Sequence, residues 1–540
     1  MKKFWFWLNK KIEKIENKKL SLKSWSVAFL SLISLRVFLE ELLNGFSRTN
    51  FFEFLAFFSH TLLFFLLSFL IFLFLLKKIL KEDLFKIANI LLWGFWIIIW
   101  PPLLDKIFFP NQFVWSFYLF SDLKGLIKNF FLFFGENLTI GVTLGTRVEI
   151  FLAVLGLSSY VFLKKKTKKW LFLAPILFYG VLYFLGSFPS WWTLGESLFS
   201  GSGWNFSEKD IVTIFLSPFS FFSFKNQTGS GFFAWKMALI YNLLIVFLLS
   251  IFQFWLEKKK FWALFKNIRF PQMTFNTGLF FLGLILGHWL FPKNLTLDIF
   301  SFLGVFNLWI AIFSAWFFSV LVNDEEDLLT DEITNSQRPL VQKIFSLKEY
   351  RNYRLIFLFF SLFLPLLIHW KLAFLFLVYH GLTFIYSCPP FRLKRFLGIA
   401  SFLSAGASII FLFVGFLLFS ENQSLIAIPW RIIIFIFLSS FLTIPLKDIK
   451  DEVGDRRMGV LTLSVWLGES RSRLVLASLF LFNYLFSVFI FKEESLFLPA
   501  LILGTISFWG VVSQKIKARF LPGWVIFWTF IYFFFLIKLF

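Results

Sequence analysis

The chain reads as an all-α, multi-pass membrane protein, and three observations carry that reading. Hydrophobic residues fill 59% of its 540 positions, Phe alone accounts for 89, and the mean hydropathy of +0.79 lies well outside the range of soluble globular domains. Apolar runs of about 20 residues, long enough to cross a bilayer as helices, recur from end to end. Short loops rich in Lys and Arg separate those runs in an alternating pattern. Hydrocarbon cannot hydrogen-bond a backbone, so each run must be helical.

Taken in order, residues 1–25 are Lys-rich with two Glu and read as a basic cytoplasmic interfacial segment. A cleaved signal is disfavoured, because the apolar run 26–43 ends without a small-residue cleavage site. Further spans fall near 52–76, 84–104, 138–162, 170–187 and 234–255, making about six in a multi-pass domain over 26–270. The segment 113–135 is apolar but broken by Asp122, Lys124 and Lys128, which suits an interfacial or re-entrant piece. After Phe270-Pro271 nine more spans are expected, near 276–292, 297–322, 352–370, 372–388, 397–419, 426–446, 472–491, 495–513 and 522–540. Lys77-Lys78, the run Lys164 to Lys169 and Lys258-Lys259-Lys260 share one side, as do Arg392 to Arg395 and Lys515 to Arg519. By the positive-inside rule that side is the cytoplasm, and a prokaryotic cell membrane is the expected location.

The net charge of +22 does not imply nucleic acid. The cations cluster beside apolar spans, where topology and anionic lipid headgroups account for them. One cysteine, Cys388, excludes a disulfide framework and a thiolate metal site. Arg36, Glu40 and Glu41, and Arg147 with Glu149, lie inside predicted spans and are expected to pair or to snorkel.

The feature that calls for chemistry is acidic. Six of the eleven Asp sit in two motifs, Asn323-Asp324-x-x-Asp327-x-x-x-Asp331 and Asp448-x-x-Asp451-x-x-x-Asp455. On a helix this spacing stacks three carboxylates on one ridge. Like charges so close require a cation between them, and an all-oxygen ligand set points to Mg²⁺. Loop charge places both motifs on the cytoplasmic face, and the similar order of spans around each suggests an internal repeat that sets the ridges face to face. Glu325, Glu326 and Glu332 read as a solvated face. Arg338, Lys447, Tyr386, Arg392 and Lys394 lie beside the ridges and could bind phosphate oxygens. A diphosphate clamped over Mg²⁺ and attached to a long hydrocarbon fits such a site, in a chamber expected to be lined by Phe, Trp and Leu. Loss of an allylic diphosphate leaves a carbocation, which each aromatic face stabilises by about 0.5–2 kcal/mol. A cation or lipid transporter is the rival class, but it would carry its charges near the midplane on broken helices.

The two motifs, with Arg338-Pro339-Leu340, the stretch Tyr386-Ser387-Cys388-Pro389-Pro390-Phe391-Arg392-Leu393-Lys394, and Gly459, Thr462, Leu463 and Leu467-Gly468, resemble the UbiA superfamily of intramembrane prenyltransferases. The resemblance covers about residues 270–540 and implies a nine-helix bundle over 271–540 with its active site towards the cytoplasm. It implies that Asn323, Asp324, Asp327, Asp331, Asp448, Asp451 and Asp455 hold Mg²⁺. Asp324, Asp327, Asp448, Asp451 and Lys394 would be catalytic, and Asn323, Arg338, Tyr386, Arg392, Lys394 and Lys447 would bind the diphosphate. The partners implied are a polyprenyl diphosphate, a small acceptor and membrane lipids. The Tyr-to-Lys spacing departs from the 4-hydroxybenzoate branch and is closer to the homogentisate, chlorophyll and archaeal glycerolipid branches. The acceptor is then an aromatic ring, a glycerol phosphate or similar, or alternatively a sugar phosphate as in the decaprenyl-phosphoribose branch. Residues before 270 resemble no known family.

Overall fold

The computed structural model describes residues 2–46, 48, 50–110, 119–135, 142–201, 203–218, 229–292, 298–420, 424–457 and 459–537. Among them there is no strand, and 14 helices are long and apolar enough to cross a membrane. The described residues divide into two compact units, the first ending at Phe252 and the second running on from Gln253.

In the first unit the helices are α1 (Lys2–Glu16), α2 (Leu22–Leu43), α3 (Phe51–Leu80), α4 (Leu84–Gly94), α5 (Trp100–Phe108), α6 (Leu123–Phe131), α7 (Leu144–Lys165), α8 (Lys168–Gly186), α9 (Phe188–Phe199), α10 (Glu208–Leu216) and α11 (Gly229–Leu256). Five stretches qualify as spans: α3, α4 with α5, α7, α8 and α11. The expected span at 26–43 forms as the helix α2, which is not among those five. The basic segment at the amino terminus is pinned rather than loose. Glu16, at the end of α1, is buried and accepts from Tyr160 Oη at 2.8 Å and Lys164 Nζ at 2.7 Å. Inside the unit Arg36 pairs with Glu40 at 2.8 Å, and Arg48 pairs with Glu41. Part of the interrupted segment at 113–135 folds as the short helix α6, and residues 111–118 lie outside the described residues.

The second unit comprises α12 (Lys258–Lys266), α13 (Phe270–Leu290), α14 (Ile299–Glu326), α15 (Leu328–Thr334), α16 (Leu347–Ile368), α17 (Trp370–Ser387), α18 (Ile399–Leu417), α19 (Trp430–Asp448), α20 (Glu452–Arg457), α21 (Leu463–Leu467), α22 (Glu469–Phe491), α23 (Phe497–Val512) and α24 (Leu521–Ile537). Its nine spans match the nine expected. They pack as a closed ring: α13 on α14, then α16, α17, α18, α19, α22, α23 and α24, which returns to α13. Two helices also meet across the ring. α13 and α18 touch backbone to backbone, because a methyl on Gly283 would overlap the Leu412 carbonyl oxygen and one on Gly415 the Phe280 carbonyl oxygen. Around this crossing Leu282, Leu286, Leu412, Phe416, Phe435 and Ile436 bury a common core. It fills the ring at the end where α13 and α18 finish. The end where they begin is hollow.

Candidate active site

The hollow end holds a cavity of about 660 Å³, walled by the first turns of α13, α18 and α24 and the last turns of α14, α17 and α19. The first acidic motif is not one straight ridge. α14 ends at Glu326, Asp327 caps it with φ −103° and ψ 15°, and α15 restarts at Leu328. The break puts Asn323, Asp327 and Asp331 on the cavity while Asp324 is turned away from it. In the second motif α19 tightens into a 3₁₀ turn over Ile449–Asp451 and continues as α20, so Asp448, Asp451 and Asp455 all reach the cavity. Asn335 bridges the two motifs: its Nδ2 donates to Asp331 Oδ1 at 2.9 Å and lies 3.5 Å from Asp451 Oδ1.

Cations surround these carboxylates. Lys394 Nζ donates to Asp327 Oδ1 at 2.6 Å and to Asn323 Oδ1 at 3.0 Å, and Arg392 Nη2 donates to the same Asp327 oxygen at 3.0 Å. Burial alone would raise the Asp327 pKa, but Lys394 and Arg392 hold it below the usual carboxylate range. Burial lowers Lys394, and Arg392 and Lys447 reinforce that against the pull of Asp327. Asp331 is raised to about 6, mainly by burial, with Asp324 adding to the rise and Arg338 opposing it. Lys447 Nζ donates to Tyr386 Oη at 3.3 Å, which keeps both at the rim.

Asp324 departs from the role implied for it. Its carboxylate is fully buried and accepts four hydrogen bonds: from Arg269 Nη2 at 2.6 Å, Arg338 Nη1 at 2.8 Å, Asn267 Nδ2 at 2.7 Å and Tyr350 Oη at 2.7 Å. Four donors leave no lone pair directed at the cavity. As built, Asp324 anchors two arginines. Of the other residues singled out from the sequence, Arg338, Tyr386, Lys394 and Lys447 line the cavity, whereas Arg392 stands behind Asp327. Arg269 and Asn267 were not singled out from the sequence; the place of Arg269 just before the first span of the unit, on the side of both ridges, was the available clue. The expected lining of Phe, Trp and Leu is found in part: Phe275, Trp316, Leu382 and Leu403 line the cavity, and Phe275 is the one Phe among the described residues to do so, while α18 and α19 also offer it Ala400, Ser404, Ala407, Ser408, Ser440 and Thr443.

Among the described residues no three His, Cys, Asp or Glu side chains converge tightly enough to hold a metal ion as they stand. The donor set nevertheless fits a hard divalent cation. Asp331 Oδ2 is buried with no hydrogen-bond partner, and Asp455 faces Asp448, Asp451 and Asp327 at electrostatic range.

The family model of the UbiA prenyltransferase family matches residues 296–537. The carboxy-terminal unit belongs to that family. No curated protein matches the chain. Among solved structures, a UbiA homolog from Archaeoglobus fulgidus bound to GPP and Mg²⁺ is 18% identical, covering 51% of this chain and 99% of its own with a TM-score of 0.38. An apo UbiA homolog from Aeropyrum pernix K1 is 16% identical over 48% of this chain and 97% of its own, TM-score 0.37. A structure described for digeranylgeranylglyceryl phosphate synthase in membranes is 18% identical over 51% and 96%, TM-score 0.33. The UbiA domain of this chain thus follows a second, multi-pass helical unit.

Proposed function

We propose that the UbiA domain transfers a polyprenyl group from its diphosphate to a small acceptor, an aromatic ring, a glycerol phosphate or similar, in a Mg²⁺-dependent reaction within the membrane. The observation that carries this reading is the meeting of two acidic motifs across one cavity, joined by Asn335 and flanked by Lys394, Lys447, Arg338 and Arg269. Carboxylates alone would suit a transported cation. Carboxylates interleaved with fixed cations suit a diphosphate and its counter-ion.

In this scheme Asn323, Asp327, Asp331, Asp448, Asp451 and Asp455 hold Mg²⁺, which when bound offsets the charge on the departing diphosphate. Lys394, held by Asp327 and Asn323, meets the diphosphate from one side, and Arg338 and Arg269, held by Asp324, meet it from another. Trp316, Tyr379 and Tyr386 line the same space, and their ring faces favour the allylic cation. The acceptor attacks that cation and then loses a proton, so no protein nucleophile is required. The phosphate-free part of the cavity, between α18 and α19, receives the acceptor and the start of the prenyl tail. The resemblance in the first motif extends to the charges but not to Asp324, whose part is to fix the arginines.

The test is direct. Membranes holding the full-length chain are incubated with radiolabelled polyprenyl diphosphate, Mg²⁺ and a panel of aromatic, glycerol-phosphate and sugar-phosphate acceptors. A Mg²⁺-dependent lipid product that disappears in Asp327→Ala and Asp448→Ala supports the reading. No product with any acceptor, or undiminished product from both variants, overturns it.

A further inference from the structure

The unit that precedes the UbiA domain contains a cleft of about 500 Å³. α7 lines it with Thr146, Glu149, Ala153, Gly156, Tyr160 and Leu163, a 3-4-3-4-3 spacing that keeps one helix face on the cleft from first turn to last. Seventeen steps of about 1.5 Å from Thr146 to Leu163 give a length of about 25 Å. The cleft is thus long enough for an alkyl chain laid along α7. The opposite walls are apolar, with Phe64, Phe65 and Phe72 of α3 and Phe95 and Ile98 after α4.

One end is charged. Arg36 and Glu40 of α2 and Glu149 of α7 line the same cleft. Arg36 is taken up by Glu40 at 2.8 Å and by the Ile98 carbonyl. Its Nη1 stays 3.6 Å from Glu149 Oε2, and among the described residues Glu149 accepts no hydrogen bond. Glu40 and Asp105 add negative charge at electrostatic range of Glu149. Asp105 is buried and its Oδ2 has no partner. Two carboxylates, Glu149 and Glu40, therefore face one guanidinium at the end of an apolar slot, with Asp105 at electrostatic range, an arrangement in which ionisable groups ordinarily pair.

We propose that this cleft binds a single-chain amphiphile with a cationic amine head, the tail lying along α7 and the ammonium between Glu149 and Glu40. The length of the slot along α7 and its Phe-lined wall select a long alkyl tail, and the carboxylate excess selects the head. The same excess rejects a prenyl diphosphate, so the cleft is not a reservoir for the donor used by the UbiA domain. Nothing in this inference depends on the transferase reaction.

The experiment uses the full-length protein in nanodiscs of zwitterionic lipid, with a C18 primary amine bearing a chain diazirine, the matched alcohol and fatty acid, and a photoactivatable prenyl diphosphate. Labelled peptides are mapped by mass spectrometry. The amine is expected to label α7 and α3 about tenfold more than the fatty acid or the diphosphate, the factor of one favourable charge pair. Glu149→Gln should erase that preference while leaving the alcohol's labelling unchanged. Gly156→Trp should block all labelling of the cleft; a methyl there meets nothing within 4 Å, so the indole has the cleft to occupy. Should either variant lose its monodisperse elution, Glu149→Leu and Ala153→Phe replace it. Equal labelling by amine, acid and diphosphate would mean that bulk lipid fills the slot and would overturn the proposal, as would labelling undiminished by the bulky variants.

Discussion

Replacing Asp324 with Asn separates two roles that the acidic motif leaves indistinguishable. The substitution keeps the size of the side chain, removes its charge and turns one accepting oxygen into a donor. In the structure that oxygen faces either Arg269 and Arg338 or Asn267 and Tyr350, donors in every case, at 2.6–2.8 Å. Breaking a fully buried ion pair from one side typically destabilises by about 3–5 kcal/mol. Arg269 and Arg338 keep 25% and 15% side-chain exposure, so water recovers part of that, and about 2–3 kcal/mol is a fair expectation. The apparent melting temperature should fall. Displaced arginines should raise the KM for the prenyl diphosphate by about 10- to 100-fold, or about 1.4–2.7 kcal/mol. The Mg²⁺ concentration for half-maximal activity should not move. Asp327→Asn, by contrast, removes a carboxylate that lines the cavity and should raise the Mg²⁺ requirement at least tenfold. Thermal melts, donor titrations and Mg²⁺ titrations on the two variants decide the matter. If Asp324→Asn shifts the Mg²⁺ titration and leaves stability and donor KM intact, Asp324 is a metal ligand and the reasoning from its four donors is wrong.

Asn335→Leu removes the amide that joins Asp331 to Asp451, and the Mg²⁺ titration should move about three- to tenfold upward with little change in saturated rate. Lys394→Met should lower kcat about 100-fold in a prenyl-transfer assay, because the cation held against Asp327 and Asn323 is lost, and Lys394→Arg should restore part of it. Gly415→Val drives two methyl groups into the α13 backbone, and the yield of folded protein on size exclusion should collapse; Gly406→Ala on the same helix, where a methyl meets nothing within 4 Å, should leave it unchanged.

The spans and the existence of a site could be read from the sequence because both rest on composition. Twenty apolar residues specify a helix in lipid wherever the helix then packs. The boundaries moved where local chemistry overrode hydropathy: α13 starts at Phe270 rather than 276, since Pro271 is well placed in a first turn, and α19 runs on through a 3₁₀ turn to Arg457. What could not be read was direction. The spacing of Asp324, Asp327 and Asp331 presumes one unbroken helix, and the turn at Asp327 rotates Asp324 to the back. Arg269 and Tyr350 are 55 and 26 residues from the carboxylate they serve, so no local pattern links them to it. The small residues facing the cavity from α18 are equally silent in sequence, where the abundance of Phe suggested an aromatic wall.

The glycine crossing of α13 and α18 also limits how a long substrate can lie. It closes the ring seven residues beyond Asn276 on one helix and seven beyond Ser408 on the other, so the cavity has a floor. From Asp448 to Ser440, the deepest position on α19 that lines it, is about 12 Å. That depth takes the first few isoprene carbons and no more. Any longer tail has to leave sideways between helices into the bilayer, where each added unit meets lipid instead of protein. A pocket of this shape would reject donors too short to fill it and be nearly blind to length above that threshold.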